Sequence, residues 1–338
     1  SGFFTEFDHY QVSQDLDIAT LDSYPIGFTQ MFFLNEDEKT KWAEVGHPDI
    51  PSFHYDLYKG MCKGNRWWIM EQQPGPVNWA HWNPIPKDGM VRLWSWQAFA
   101  HGCELVSYFR WRQTPYAQEQ MHAGLLAPDD SLAQGALEVA QLSQEIKQFQ
   151  NQAAMPSQGQ GLQSNKAKVA LLFDYDSMWM SEISPQGKDF LGIEQVFRIY
   201  SALRSLALDV DIISTQTELV GSQYQLIVLP AQWYVSEALR NQLEQIAAKN
   251  IPIVLAPRVG SKTEHLSISE PLAPGALTAL AGLKVKRVSS LPPGIQTEIL
   301  TQHNKPTEKH QVSRWLEDVE CLSAKPYWKI GRASCRER

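Results

Sequence analysis

The sequence has 338 residues, of which 43% are hydrophobic and 20% are charged, as in ordinary soluble globular proteins. Because a single core rarely grows beyond about 250 residues, this length predicts two domains. A formal net charge of −7 argues against a nucleic-acid partner, and no window of about 18 consecutive apolar residues exists that could cross a membrane.

The first half of the chain alternates short apolar strands with helical patterns. Strands are predicted at Leu16–Tyr24, Arg66–Met70 and Glu104–Arg110, and helices at Pro51–Lys63, Met90–His101 and Leu132–Phe149. Gly102 is expected to end the second of these helices as its C′ residue. Alternation of this kind implies parallel strands with helices packed outside them.

A polar segment rich in Gln, Ser and Gly, residues 154–166, is typical of a linker. Beyond it, unbroken apolar runs predict strands at Val169–Asp174, Val210–Ile213, Leu226–Pro230 and Ile253–Pro257, with helices at Phe190–Ala207 and Ser236–Lys249. Strands buried on both faces have this pattern, so a doubly wound, flavodoxin-like sheet is expected.

The remaining features are mostly negative. The final residues, 329–338 (KIGRASCRER), resemble the translation of a common sequencing adapter and are expected to be a non-native tail. The four cysteines never reach the C-x2-C spacing of a zinc site, and no Gly-rich phosphate loop follows a strand. We therefore expect no cofactor and no metal in this chain.

Glu71 is the first candidate for chemistry. It ends an apolar strand and enters a loop bounded by Pro74 and Pro76. In a (β/α)8 barrel the carboxyl ends of the strands carry the catalytic groups. A carboxylate there, flanked by Trp67, Trp68 and Trp79, could attack an anomeric carbon. The residues alone leave this open, because a surface glutamate that begins a loop is more frequent.

Three segments are similar to the signature segments of the β-galactosidases of glycoside hydrolase family 42. They are Leu21–Phe28 (LDSYPIGF), Met70–Pro84 (MEQQPGPVNWAHWNP) and Gly89–Leu125, within a resemblance that covers roughly residues 1–320. The resemblance implies an α/β fold. Its parts are a partial (β/α)8 TIM barrel over 1–153, the linker 154–166, and a class I glutamine amidotransferase-like doubly wound trimerisation domain over 167–328.

The resemblance also implies site residues. Glu71, at the end of the seventh barrel strand, matches the nucleophile of a retaining double displacement. Tyr24, at the end of the sixth strand, matches the residue that hydrogen-bonds that nucleophile.

Four further residues match the galactose pocket of the family. Trp79 and Phe109 match its aromatic walls, and Glu119 with His122 matches the pair that binds the outer hydroxyls of the sugar. Residues at i and i+3 can face one pocket if their segment is helical.

The acid/base glutamate of the family belongs to an earlier strand, so the chain alone is expected to be inactive. Structural zinc, where members carry it, also belongs to that upstream region. The expected partners are a β-galactoside substrate and the other subunits of a homotrimer, with neither nucleic acid nor membrane. The expected compartment is the bacterial cytoplasm, although an upstream signal peptide is compatible with the sequence.

Two other functions remain open. One is an α-L-arabinopyranosidase of the same mechanism, whose sugar lacks the hydroxymethyl group. The other is a carbohydrate-binding or assembly module without chemistry of its own.

Overall fold

The computed structural model describes residues 5–62, 64, 66–152, 166–301, 310–326 and 328–330. The chain divides into two compact units, Ser1–Ala167 with Arg204–Ile213 and Lys168–Leu203 with Ser214–Arg338. The predicted linker up to residue 165 and the predicted tail beyond Ile330 lie outside the described residues. Within the described ranges, no helix has the length and apolar character needed to cross a bilayer.

The first half of the chain folds as alternating helices and strands. The helices are α1 (His9–Ser13), α2 (Pro25–Met31), α3 (Glu36–Lys41), α4 (Asp49–Met61), α5 (Met90–Ala100) and α6 (Gln134–Gln152), and the strands are β1 (Ala19–Ser23), β2 (Trp67–Gln72) and β3 (Leu105–Tyr108). The strands form one sheet in the order β1-β2-β3, and both pairings are parallel. A parallel sheet with a helix after each strand is a segment of a (β/α)8 barrel.

One face of this sheet carries the core. Trp67 and Ile69 of β2 and Leu21 of β1 are nearly or fully buried, whereas Thr20 and Met70 on alternate positions are exposed. This is the period of two that a strand imposes on its side chains. The buried face packs against helix α4, so the other face is the one available to a site.

Three predicted boundaries matter for the site. Helix α5 ends one residue before its predicted end, and Gly102 has the positive φ, 91°, expected of a C′ residue. Strand β2 runs past the predicted end at Met70, so Glu71 lies inside the strand and does not begin the loop. Strand β3 stops at Tyr108, which leaves Phe109 and Arg110 in the loop that follows.

The second half of the chain contains a four-stranded sheet. Its strands are β4 (Val169–Phe173), β5 (Val210–Ser214), β6 (Leu226–Leu229) and β7 (Ile253–Leu255), in the order β5-β4-β6-β7, with β4, β6 and β7 parallel. The helices are α7 (Tyr175–Ile183), α8 (Gly192–Ser205), α9 (Glu237–Ala248) and α10 (Thr278–Ala281). Every residue of β4 is buried, as an unbroken apolar run predicts for a doubly wound sheet.

The remaining strands form antiparallel pairs that the sequence patterns did not predict. Strands β8 (Leu283–Ser290) and β11 (Trp315–Cys321) form one pair, and β9 (Thr297–Thr301) lies between β10 (His310–Val312) and β12 (Trp328–Ile330) in a second sheet. Lys329 and Ile330 of the predicted tail are thus part of a strand.

Candidate active site

A β-bulge in the central strand directs the side chain of Glu71. Leu21 of β1 pairs with Ile69, but Asp22 pairs with Glu71, so Met70 is an extra residue on β2. Regular alternation would place Glu71 on the buried face that Ile69 occupies. The extra residue brings Glu71 to the side of Asp22 instead, which is how bulges re-aim side chains next to active sites.

Tyr24 supplies a hydrogen bond to this carboxylate. Its hydroxyl donates to Oε2 of Glu71 at 2.6 Å, and the tyrosine is only 6% exposed. Pro25 is the first residue of α2, and a proline disfavours helical backbone angles in the residue before it. Tyr24 therefore stays outside the helix, at the junction of β1 and α2. Burial, followed by the bond to Glu71, raises the pKa of the Tyr24 phenol. The phenol is therefore a neutral donor and the carboxylate its acceptor.

Asp22 places a second carboxyl beside the first. Burial and then the negative charge of Glu71 raise the pKa of Asp22 above its usual range. Two carboxyls on adjacent strands disfavour double ionisation, so this arrangement favours the protonated form of Asp22. Asp22 was missed from the sequence, where its only signal is its position two residues before Tyr24.

The Trp79 indole forms one wall of the site. It lies edge-on to Tyr24 at 5.3 Å between ring centroids and 5.9 Å from Phe28. A Cβ on Gly27 of α2 would lie 2.5 Å from the far edge of the indole, so only glycine allows this close approach. Trp79 remains 40% exposed and can offer part of its ring surface to a ligand.

His122 is a second ring in contact with Tyr24. Its ring is edge-on to Phe109 at 5.2 Å and to Tyr24 at 5.8 Å, and the residue is 1% exposed. Burial lowers the pKa of His122, so the imidazole is neutral at pH 7. Nδ1 lies 3.0 Å from the carbonyl oxygen of Ala123, which can only accept, so Nδ1 carries the proton. Nε2 is buried with no partner among the described residues and is free to accept a hydrogen bond from a hydroxyl.

Glu119 joins the site through a turn. The amide of His122 donates to the carbonyl of Glu119 at 2.9 Å, so the segment is a tight turn and not the helix that the i, i+3 argument required. The side chain of Glu119 is 48% exposed and lies 3.3 Å from Arg110. The turn still brings the main chain of Glu119 within hydrogen-bonding distance of that of His122.

The six residues predicted for the site thus lie in one region of the first unit. Five are linked by direct contacts through Tyr24 and His122, and Glu119 is linked through its turn. A further residue, Gln73, was missed. It is fully buried, accepts from the amide of Ile26 at 3.1 Å and donates to the carbonyl of Gly75 at 2.8 Å, which ties the end of β2 to the start of α2.

In the described part of the chain, no group of three or more His, Cys, Asp or Glu side chains is arranged to hold a metal ion.

A carboxylate held by a buried tyrosine at the carboxyl edge of barrel strands, beside aromatic rings, is the arrangement that glycoside hydrolases direct at an anomeric carbon. Residues 1–149 match the family model for β-galactosidase of glycoside hydrolase family 42, and residues 167–335 match that of the β-galactosidase trimerisation domain.

Known relatives agree with this match. A β-galactosidase of Thermus thermophilus is 49% identical over 294 residues, which are 87% of this chain and 43% of that protein. The crystal structure of β-galactosidase from the psychrophilic Marinomonas ef1 superposes with a TM-score of 0.87 at 44% identity, covering 97% of this chain and 48% of that one. The chain spans about half the length of the curated relatives it matches.

The chain belongs to glycoside hydrolase family 42. Its fold, part of a (β/α)8 barrel followed by a doubly wound trimerisation domain, is that of the family.

Proposed function

We propose that the protein containing this chain hydrolyses terminal, non-reducing β-D-galactose residues of β-galactosides with retention of configuration. The observation that carries the proposal is the hydrogen bond of 2.6 Å from the Tyr24 hydroxyl to Glu71, on the open face of the barrel strands. It fixes one carboxylate oxygen and leaves the other free for attack on the anomeric carbon.

Each residue has a distinct role in this proposal. Glu71 attacks the anomeric carbon and forms the glycosyl ester, while the Tyr24 hydroxyl orients it. Trp79 and Phe109 pack against the apolar faces of the sugar ring. Glu119 and His122 bind the outer hydroxyls, and Nε2 of His122 accepts from one of them.

The second carboxyl of the mechanism must protonate the leaving oxygen and then activate water. In a retaining enzyme it lies about 5–5.5 Å from the nucleophile. By the pattern of the family it belongs to an earlier strand of the barrel, outside this chain. We therefore expect the 338-residue chain alone to be inactive on aryl β-galactosides.

The second half of the chain supports assembly rather than chemistry. Gln232, which follows β6, donates hydrogen bonds to the carboxylate of Asp174, which follows β4, and to Oγ of Ser177 at 3.0 Å. The polar side chains at these strand ends are thus hydrogen-bonded to one another. The match to a trimerisation domain over 167–335 supports a homotrimer. A cytoplasmic location is supported by the free thiols of Cys62, Cys103 and Cys321.

Covalent labelling tests the proposal. A 2-deoxy-2-fluoro-β-galactosyl inactivator should add one sugar to the full-length protein, on the peptide that contains Glu71, and none to the Glu71→Gln variant. An equally reactive 2-fluoro arabinopyranosyl reagent would instead favour the pentose as the natural sugar. Labelling of a different carboxylate, or unchanged labelling of the variant, would contradict the role of Glu71.

A further inference from the structure

Arg110 holds the turn that carries both outer-hydroxyl residues. Its Nη2 lies 2.8 Å from the carbonyl oxygen of Glu119 and 3.3 Å from that residue's Oε2. One nitrogen thus reaches both the main chain and the carboxylate of Glu119. Charge-assisted hydrogen bonds of this kind are stronger than neutral ones.

The same carbonyl oxygen closes the turn. The Glu119 carbonyl accepts from the His122 amide at 2.9 Å as well as from Arg110. The guanidinium therefore holds the first peptide of the segment 119–122. His122 lies buried at the other end of that segment. Two side chains outside the turn hold its carbonyls, Arg110 at Glu119 and Gln113, whose Nε2 donates to the carbonyl of Gln120 at 2.7 Å.

Arg110 is itself fixed by its surroundings. Its guanidinium carbon lies 5.3 Å from the ring centroid of Phe109, whose ring also lies edge-on to that of His122. Nε of Arg110 is buried, and only 21% of the side chain is exposed. Phe109 and Arg110, adjacent in the chain, thus contact the two ends of the turn.

We propose that Arg110 is the positioning residue that sets Glu119 and His122 for recognition of the axial hydroxyl of the sugar. This inference rests on the proposed function. Arg110 touches no reacting atom; it acts through the turn. Its loss should weaken discrimination between galactose and its C4 epimer, because a misplacement of about 1 Å is enough to lose about 100-fold in efficiency.

Arg112 is a matched control. It lies two residues further on, pairs with Asp130 at 3.0 Å and donates to the carbonyl of Pro128, and its side chain is 43% exposed. No described contact joins it to Glu119 or His122. It shares the charge and the loop of Arg110 without the contact to the turn.

The test measures kcat/KM of the full-length protein for 4-nitrophenyl β-D-galactopyranoside and for the corresponding β-D-glucopyranoside. Arg110→Gln should lower the galactoside-to-glucoside ratio by about 10- to 100-fold. The ratio for Arg110→Lys should lie between those of Arg110→Gln and the parent, since an ammonium keeps the charge but not the planar, multidentate geometry of the guanidinium. Arg112→Gln should keep the ratio within about twofold, because an exposed ion pair contributes little.

An unchanged ratio in both Arg110 variants of an active parent would overturn the inference. If Arg110→Gln does not fold, the ratio of Arg110→Lys decides in the same way.

Titration of His122 by NMR separates this inference from the proposed function. Removal of the guanidinium should raise the pKa of His122 in Arg110→Gln and leave it unchanged in Arg112→Gln, whether or not galactosides are hydrolysed. A parent that lacks hydrolysis would contradict the proposed function, and a His122 pKa unmoved by Arg110→Gln would contradict the inference.

Discussion

The hydroxyl of Tyr24 donates its hydrogen bond to a carboxylate that loses and regains its charge in each proposed cycle. Tyr24→Phe removes this donor without changing the ring that packs against Trp79. A hydrogen bond to a charged group contributes about 1.5–3 kcal/mol, so we expect kcat/KM for an aryl galactoside to fall by about 10- to 100-fold.

Tyr116→Phe is the control for this change, because Tyr116 is 72% exposed. It should leave kcat/KM of the full-length protein within experimental error. Equal losses in the two variants would mean that the bond from Tyr24 to Glu71 plays no part in turnover.

Part of this geometry could be predicted from sequence. Glu71 follows an apolar run and Tyr24 precedes a proline, and both signals are local. The bulge at Met70 has no such signal, since an extra residue in a strand depends on pairing with its neighbour. The contact of Arg110 with Glu119 depends on a loop conformation that no periodicity encodes. The roles of these residues stay predictions.

At the scale of elements, α6 fixes the start of α5 through one buried carboxylate. Glu138 is 5% exposed and accepts from the amides of Gly89 and Arg92, at 2.7 and 3.0 Å. These amides belong to the first turn of α5, which has no side-chain cap of its own. Glu138 thus supplies both a cap and a negative charge at the positive end of the helix dipole.

Glu138→Gln should lower the free energy of unfolding of the chain by about 1–2 kcal/mol, as the loss of a cap and of a charge at a helix start implies. Urea denaturation measures this change in the free energy of unfolding. Glu44→Gln is the control. Glu44 is 55% exposed in its ion pair with Lys87, so this substitution should change the free energy of unfolding by less than about 0.5 kcal/mol. Identical midpoints for the two variants would show that the cap does not stabilise α5.

Elements with a strong pattern were predicted well. The four strands of the second sheet begin at their predicted first residues, because each lies in a short run of mostly apolar residues, and in β4 every residue of that run is buried. Helix α3 was missed because none of its residues is buried, so it has no apolar period. Strands β8 and β11 were missed for a related reason: most of their residues are exposed.

At the scale of the molecule, buried histidines make stability depend on pH. His54 is 1% exposed and packs edge-on against Phe28 at 5.5 Å between ring centroids. Burial lowers the pKa of His54 well below the ordinary 6.5, and it also lowers the pKa of His122. In the unfolded chain both imidazoles titrate near their ordinary value. As the pH falls below 6.5, the unfolded state therefore binds protons that the native state does not, and the free energy of unfolding decreases.

Urea denaturation between about pH 7.5 and pH 5.5 measures this dependence as a loss of stability on acidification. His54→Leu should flatten it, since that variant has one titrating group fewer. His265→Gln, at a side chain that is 84% exposed, should leave the slope unchanged. A stability that does not vary over this range, or equal slopes for His54→Leu and the parent, would contradict the buried neutral state.

The role of Glu71 as nucleophile is the central claim, and the turnover of Glu71→Gln in the full-length protein tests it most directly. Glutamine keeps the size of the side chain but cannot form the glycosyl ester. We predict that kcat on 4-nitrophenyl β-D-galactopyranoside falls by on the order of 10⁴-fold or more, with the fold and the unfolding midpoint retained. Hydrolysis at the rate of the parent would contradict the account.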